Sequence, residues 1–253
     1  MNRTVAFLFM AVGMILGGEA YAQENVQPVE VIHKKMILPS ARSMVKAAEK
    51  AMGAASLAAN VKDTSAKAYG FTTGISEEKG SFKMGVLMAD LEATVRAGER
   101  EKVTKAVGAL GEGLARLGAP LPLLTAVVNL GSAVHGGVDL SAVNRASLPI
   151  IKPIIEDFVA REGKMSYMRL GEWVESTRLA LMAAETDKIE AAEQFLKGYN
   201  LAGYFVEEFK EKGVPKAVFS SLQELSAIGN VKEPGKKEVK SALKALDTIC
   251  GLM

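Results

Sequence analysis

Cysteine is nearly absent from this chain. Cys250 is the one thiol in 253 residues, so no internal disulfide can form. It lies close to the C-terminus with no histidine near it in sequence, which marks it as incidental rather than nucleophilic. Histidine is almost as scarce: His33 and His135 are the two present. Aromatics make up 6% of residues, with Trp173 the single tryptophan, so the core must be packed from Ala, Leu and Val. An excess of one charge is also missing. The 31 basic and 29 acidic side chains leave a net charge of +2, too even a balance for a phosphate-backbone ligand. Against these shortages stands a 49% apolar share, ample for a disulfide-free core at this length.

The N-terminus reads as a secretory signal peptide over residues 1–22. Arg3 gives a positive start, Val5 to Leu16 is an apolar run, and Gly17-Gly18 breaks it. Ala20-Tyr21-Ala22 then supplies the small-x-small pattern before Gln23. The run is too short for a spanning helix, which needs about 20 apolar residues. No cysteine follows it to carry a lipid. A short signal of this kind implies a periplasmic location.

Beyond the signal the pattern is helical nearly throughout, predicting an all-α fold of antiparallel hairpins. Residues 23–80 comprise an extended lead-in punctuated by Pro28 and Pro39, an Ala-rich helix and a loop. Ser40 caps the helix, which runs to about Asn60 with Met44, Ala47, Ala48, Ala51, Ala55 and Ala58 at helical steps. The loop, Tyr69 to Gly80, carries Gly70 and Gly74. A first helical unit spans 81–163. Its helices run from Phe82 to Ala97, Arg100 to Leu117 and Pro122 to Val134, stopped by Gly98, Gly118-Ala119-Pro120 and Gly136-Gly137. A fourth follows Asp139 and is interrupted by Pro149 and Pro153. A second unit spans 164–253, with helices from Tyr167 to Ala184, Asp187 to Lys212, Lys216 to Ile228 and Glu238 to Ile249.

The two units share landmarks in order. Met84-Gly85 matches Leu170-Gly171, Gly118-Ala119-Pro120 matches Gly213-Val214-Pro215, and Gly131 or Gly136 matches Gly229. Either the units are duplicated four-helix bundles stacked side by side, or generic helix punctuation recurs. Leu170-Gly171 fits the Leu-Gly pair of tetratricopeptide hairpins, but the aromatic and alanine positions expected downstream do not follow.

Reactive constellations are thin. Glu30-Val31-Ile32-His33 has the Glu-x-x-His spacing of di-iron bundles, but Ser132 stands where His135 would need a glutamate. No Gly-x-Ser-x-Gly motif is present, and Gly111-Glu112-Gly113 sits within a helical pattern, so it is no phosphate loop. Gly108, Gly111 and Ala115 share a helix face and predict close packing or a cavity. Met84 with Met88, and Met165 with Met168, have soft thioethers one turn apart, but their Val, Leu and Ala surroundings mark them as core filler rather than copper ligands. Lys232, Lys236, Lys237, Lys240 and Lys244 are interspersed with Glu233, Glu238 and Asp247, as on a solvated helix face, with at most weak contact to anionic lipid. Trp173 and the following Tyr199, Tyr204, Phe205 and Phe209 form an aromatic group, either a core or the wall of a ligand site.

These features point to a non-catalytic exported binding or scaffold protein that contacts another envelope protein, without metal or cofactor. The alternative is a periplasmic carrier of an apolar small molecule or lipid, with Trp173, Tyr199, Tyr204, Phe205, Met84 and Met88 as candidate lining residues. A carrier predicts an apolar cavity between helices. A scaffold predicts a filled core beneath exposed apolar residues. An enzyme predicts ionisable side chains converging in one cleft.

Overall fold

The computed structural model describes residues 38–253, apart from the side chains of residues 185–187. The signal peptide expected over 1–22, Pro28, Glu30 and His33 lie outside the described residues. The described chain is all-α, with no strand. Ser40 opens α1 (Ala41–Met52), its Oγ accepting from the Ser43 amide at 3.3 Å. The Ala-rich helix expected to reach Asn60 unbroken is instead interrupted. Gly53 takes φ +90°, which side chains disfavour, and α2 (Ala54–Asn60) begins after it.

α3 (Glu77–Ala97) starts ahead of the Phe82 expected. The Ser76 side chain accepts from the Lys79 amide, and Glu77 and Glu78 occupy the positive end of the helix dipole. Gly80, expected in a loop, is therefore helical. α4 (Arg100–Arg116) and α5 (Leu121–His135) end near their expected stops. The interruption expected at Pro149 and Pro153 takes another form. α6 (Leu140–Ala142), a π-helical turn (Val143–Ser147) and α7 (Leu148–Arg161) continue one another with helical dihedrals at both junctions. The Pro149 ring crowds the carbonyl four residues back, on Arg145, and the wider π turn is where that residue sits.

α8 (Met165–Asp187) is followed by α9 (Ile189–Glu193), a second π turn (Gln194–Gly198) and α10 (Ala202–Phe209). The single helix expected over 187–212 is thus broken. Asn200 explains the second break. Its side chain donates to the Leu196 and Leu225 carbonyls at 2.9 and 2.8 Å and accepts from the Ala202 amide at 3.0 Å. α11 (Lys216–Gly229) and α12 (Lys236–Leu252) complete the chain.

Residues 38–253 pack as one unit around α3 and α8, the pair with the most extensive mutual contact. α1 and α2 lie against both, α4 against α3, and α12 against α8. The two central helices meet through reciprocal glycines. A Cβ on Gly85 would overlap the Met168 carbonyl oxygen and lie 2.7 Å from the Glu172 nitrogen. A Cβ on Gly171 would overlap the Phe82 carbonyl oxygen and lie 3.1 Å from the Val86 nitrogen. Two landmarks matched in the sequence therefore face each other at the centre. The glycine face expected on α4 packs differently: Gly108 is exposed with open space around it, while Gly113 admits the Phe71 ring.

Helix ends are closed from a distance by cations, whose charge suits the negative end of the helix dipole. Lys102 reaches the Ala58 carbonyl of α2 at 2.7 Å, and Arg100 the Val134 carbonyl of α5 at 2.8 Å. Lys83 reaches the Cys250 carbonyl of α12 at 2.6 Å.

Candidate functional site

Central helices buried on all sides carry apolar residues all round, and α3 and α8 depart from this at a few positions. Asp90, Glu92, Glu172, Glu175 and Arg178 are charged residue types held below a tenth exposure. Glu172 is paired with Lys152 of α7 at 2.5 Å and with Arg169 at 2.7 Å. Glu92 faces Arg96 and Arg42, and Arg96 binds Glu49 at 2.8 Å. These two clusters join helices.

Asp90, Glu175 and Arg178 line a cleft of about 540 Å³. Its walls come from the segment between α2 and α3 (Asp63, Tyr69), from α3 (Lys83, Val86, Asp90), from α8 (Glu175, Arg178) and from the last turns of α12 (Cys250, Gly251). At its base the Tyr69 hydroxyl donates to Asp90 Oδ2 at 2.7 Å. Burial, then the neighbouring Glu175 carboxylate, push Asp90 well above the usual carboxylate range. The same burial and like charge favour the protonated form of Asp90. Glu175 in turn accepts both arms of Arg178, from Nε at 2.8 Å and Nη2 at 2.6 Å. Tyr69 with Asp90, and Arg178 with Glu175, thus form two hydrogen-bonded pairs side by side at the α3–α8 seam.

Two groups of this cleft, Tyr69 and Cys250, are biased towards their protonated forms. Burial, then Asp90, raises Tyr69, and burial followed by Glu175 raises the Cys250 thiol. A nucleophilic cysteine needs the opposite shift. Burial lowers Lys83, which donates its one hydrogen bond among the described residues to the Cys250 carbonyl.

The six lining residues read from the sequence sit elsewhere. Met84 and Met88 are enclosed in the core on α3. Trp173 is enclosed on α8, donating from Nε1 to the Tyr199 carbonyl at 2.8 Å and packing on Phe205 with ring centroids 5.4 Å apart. Tyr204 meets Phe205 edge-on, and Tyr199 stacks on Phe195; both tyrosines are half-buried. The aromatic residues are thus brought together and their rings fill the space between them. Sequence reasoning missed Tyr69, Lys83, Asp90, Glu175 and Arg178. The signal that could have found the last three is a charge within a stretch otherwise apolar on every face. Cys250, read as incidental, stands in the cleft wall.

A separate surface feature lies on α5 and α7, which touch each other. Leu121 and Val128 on α5 are 75% and 61% exposed, and Ile150 and Ile154 on α7 are 65% and 45% exposed. The lysines at 232, 236, 237, 240 and 244 are all exposed. Among the described residues no group of His, Cys, Asp and Glu is placed to hold a metal ion, and no helix is long and apolar enough to cross a membrane. No protein-family model, curated protein or solved structure matches the chain.

Proposed function

We propose that this is an exported, non-catalytic binding protein that takes a small polar ligand in the cleft between α3, α8 and α12. The observation that carries this reading is the convergence of Tyr69, Lys83, Asp90, Glu175 and Arg178 from three segments onto one cavity. Such convergence is also what an enzyme would need. The bias of Cys250 and Tyr69 towards their protonated forms supports recognition over nucleophilic chemistry. An apolar carrier draws less support, because Met84, Met88, Trp173 and Phe205 occupy the core with their own side chains.

Native mass spectrometry of the full chain, recovered from the cells that make it, tests the reading. Gly251 lines the cleft, and a Cβ there would meet nothing within 4 Å, so Gly251→Trp adds bulk to the cleft without entering the core. A small molecule bound to the wild type and lost from G251W is the expected result. A wild type free of any ligand, or a ligand retained by G251W, overturns it.

The second reading, a scaffold for another envelope protein, is favoured by the exposed apolar pairs on α5 and α7 over a filled core. In situ crosslinking should then capture a partner that is lost from Leu121→Lys and Ile150→Lys while helicity is unchanged. Capture that survives both substitutions removes this reading.

A further inference from the structure

Not every charge that lines the cleft has a partner of opposite sign within reach. Burial and the Glu175 carboxylate bias Asp90 towards its protonated form, and the Glu175 carboxylate is matched by the two-pronged Arg178. At the rim, Asp63 is tied to the Ser65 amide and hydroxyl at 2.9 and 3.0 Å. Asp247 is an exposed residue that reaches Arg178 only at 3.9 Å. Lys83 is different. It is half-buried on α3, with its Nζ 5.6 Å from the Phe82 ring centroid, and its single acceptor is the neutral Cys250 carbonyl. Among the described residues it has no ion pair, so two of its three N–H groups are unused. Lys62, exposed at the mouth of the cleft, adds a second cation on the way in.

We infer that the cleft binds a small organic anion, a carboxylate or a phosphate, with its charged head on Lys83 and its body against Val86 and Ala68. The physical reason is the exchange of environments. A half-buried ammonium has lost part of its hydration and gained in return one carbonyl dipole and the more distant field of the Glu175 carboxylate, which is already engaged by Arg178, and an anion supplies the direct partner that is missing. Burial holds Lys83 below the usual lysine range, so its charge, and with it the anion, is lost earlier in alkaline solution than for a solvated lysine. Capping α12 is the structural role of Lys83, and the ligand role is separable from it, because an arginine could serve both.

This inference rests on the binding reading above. The test is isothermal titration of the full chain with butyrate and with inorganic phosphate, at fixed ionic strength, with butanol and butylamine as controls. At neutral pH one or both anions should bind at least about tenfold more tightly than either control, the scale of one charge-assisted hydrogen bond. Butyrate alone identifies a carboxylate site, and phosphate alone a phosphate site. Lys83→Met should remove the preference. Lys83→Arg should keep it and hold it further into alkaline solution than the wild type does. If K83M does not fold, the contrast between K83R and wild type in alkaline solution decides alone. Butylamine or butanol binding as well as the anions, or a K83R profile that falls with the wild type, overturns the anion while leaving a ligand cleft. If none of the four probes binds and the native protein carries no ligand, the binding reading falls with it.

Discussion

A methyl group added at Gly85 has nowhere to go. It would overlap the Met168 carbonyl oxygen and press on the Glu172 nitrogen, both backbone atoms of α8, which no rotamer change can move aside. Gly85→Ala therefore forces α3 and α8 apart at the centre of the molecule. Overpacking typically costs about 1–3 kcal/mol, and a clash with backbone belongs at the upper end. The helix propensity of alanine returns up to about 1 kcal/mol, leaving a net loss of about 2 kcal/mol. At about 2–4 °C per kcal/mol for a chain of this size, the melting temperature should fall by about 4–8 °C. Gly171→Ala should cost a similar amount, because its Cβ would overlap the Phe82 carbonyl oxygen in the same way. The two losses should not add. Once the helices have separated for one methyl, part of the room for the other exists, so the double variant should lose about 1 kcal/mol less than the sum. Gly108→Ala on exposed α4 is the control. With open space around it, it should gain about 0.5–1 kcal/mol. Urea denaturation followed by circular dichroism reads all four. A Gly85→Ala chain as stable as the wild type would refute the glycine-mediated crossing, and strictly additive losses would refute the reciprocal contact.

Further outcomes test the buried groups. Asp90 has its folded pKa raised above the ordinary 3.8, so the stability it contributes is full below that value and is lost as pH rises through the raised one. Asp90→Asn mimics the protonated acid; its stability relative to wild type should therefore grow with pH across that window, and a pH-independent difference would contradict the upward shift of Asp90. Glu92, also raised by burial ahead of its arginine neighbours, should leave a residual slope of the same sign in that variant. Trp173→Ala should cost about 3–5 kcal/mol in the same urea experiment, since the ring is enclosed and its Nε1 bonds to Tyr199; a loss under about 1 kcal/mol would place it at the surface. Cys250→Ser should accumulate and melt like the wild type, because the structural contact at this position is the backbone carbonyl that holds Lys83; a chain that fails to accumulate would show that the thiol matters.

What the amino-acid order determines by itself is the helical class and most of the punctuation. Caps and stops act over a few residues: Ser40 closes its own helix end, and Gly98 at φ +76° terminates α3 where its lack of a side chain allows. Local rules fail where a distant group intervenes. Asn200 breaks the expected long helix partly by bonding to Leu225, 25 residues on. Gly85 and Gly171 could be matched as landmarks, but a repeat does not say that its copies touch. The cleft is further from reach, because Tyr69, Asp90, Glu175 and the end of α12 meet only through the packing of α3 on α8. Periodicity shows which residues are apolar on one face; it is silent about which buried charges face each other across two helices. The bias of Asp90 towards its protonated form and the lack of an ion pair on Lys83 among the described residues are both decided there, since each depends on burial and on a neighbour supplied by another segment of the chain.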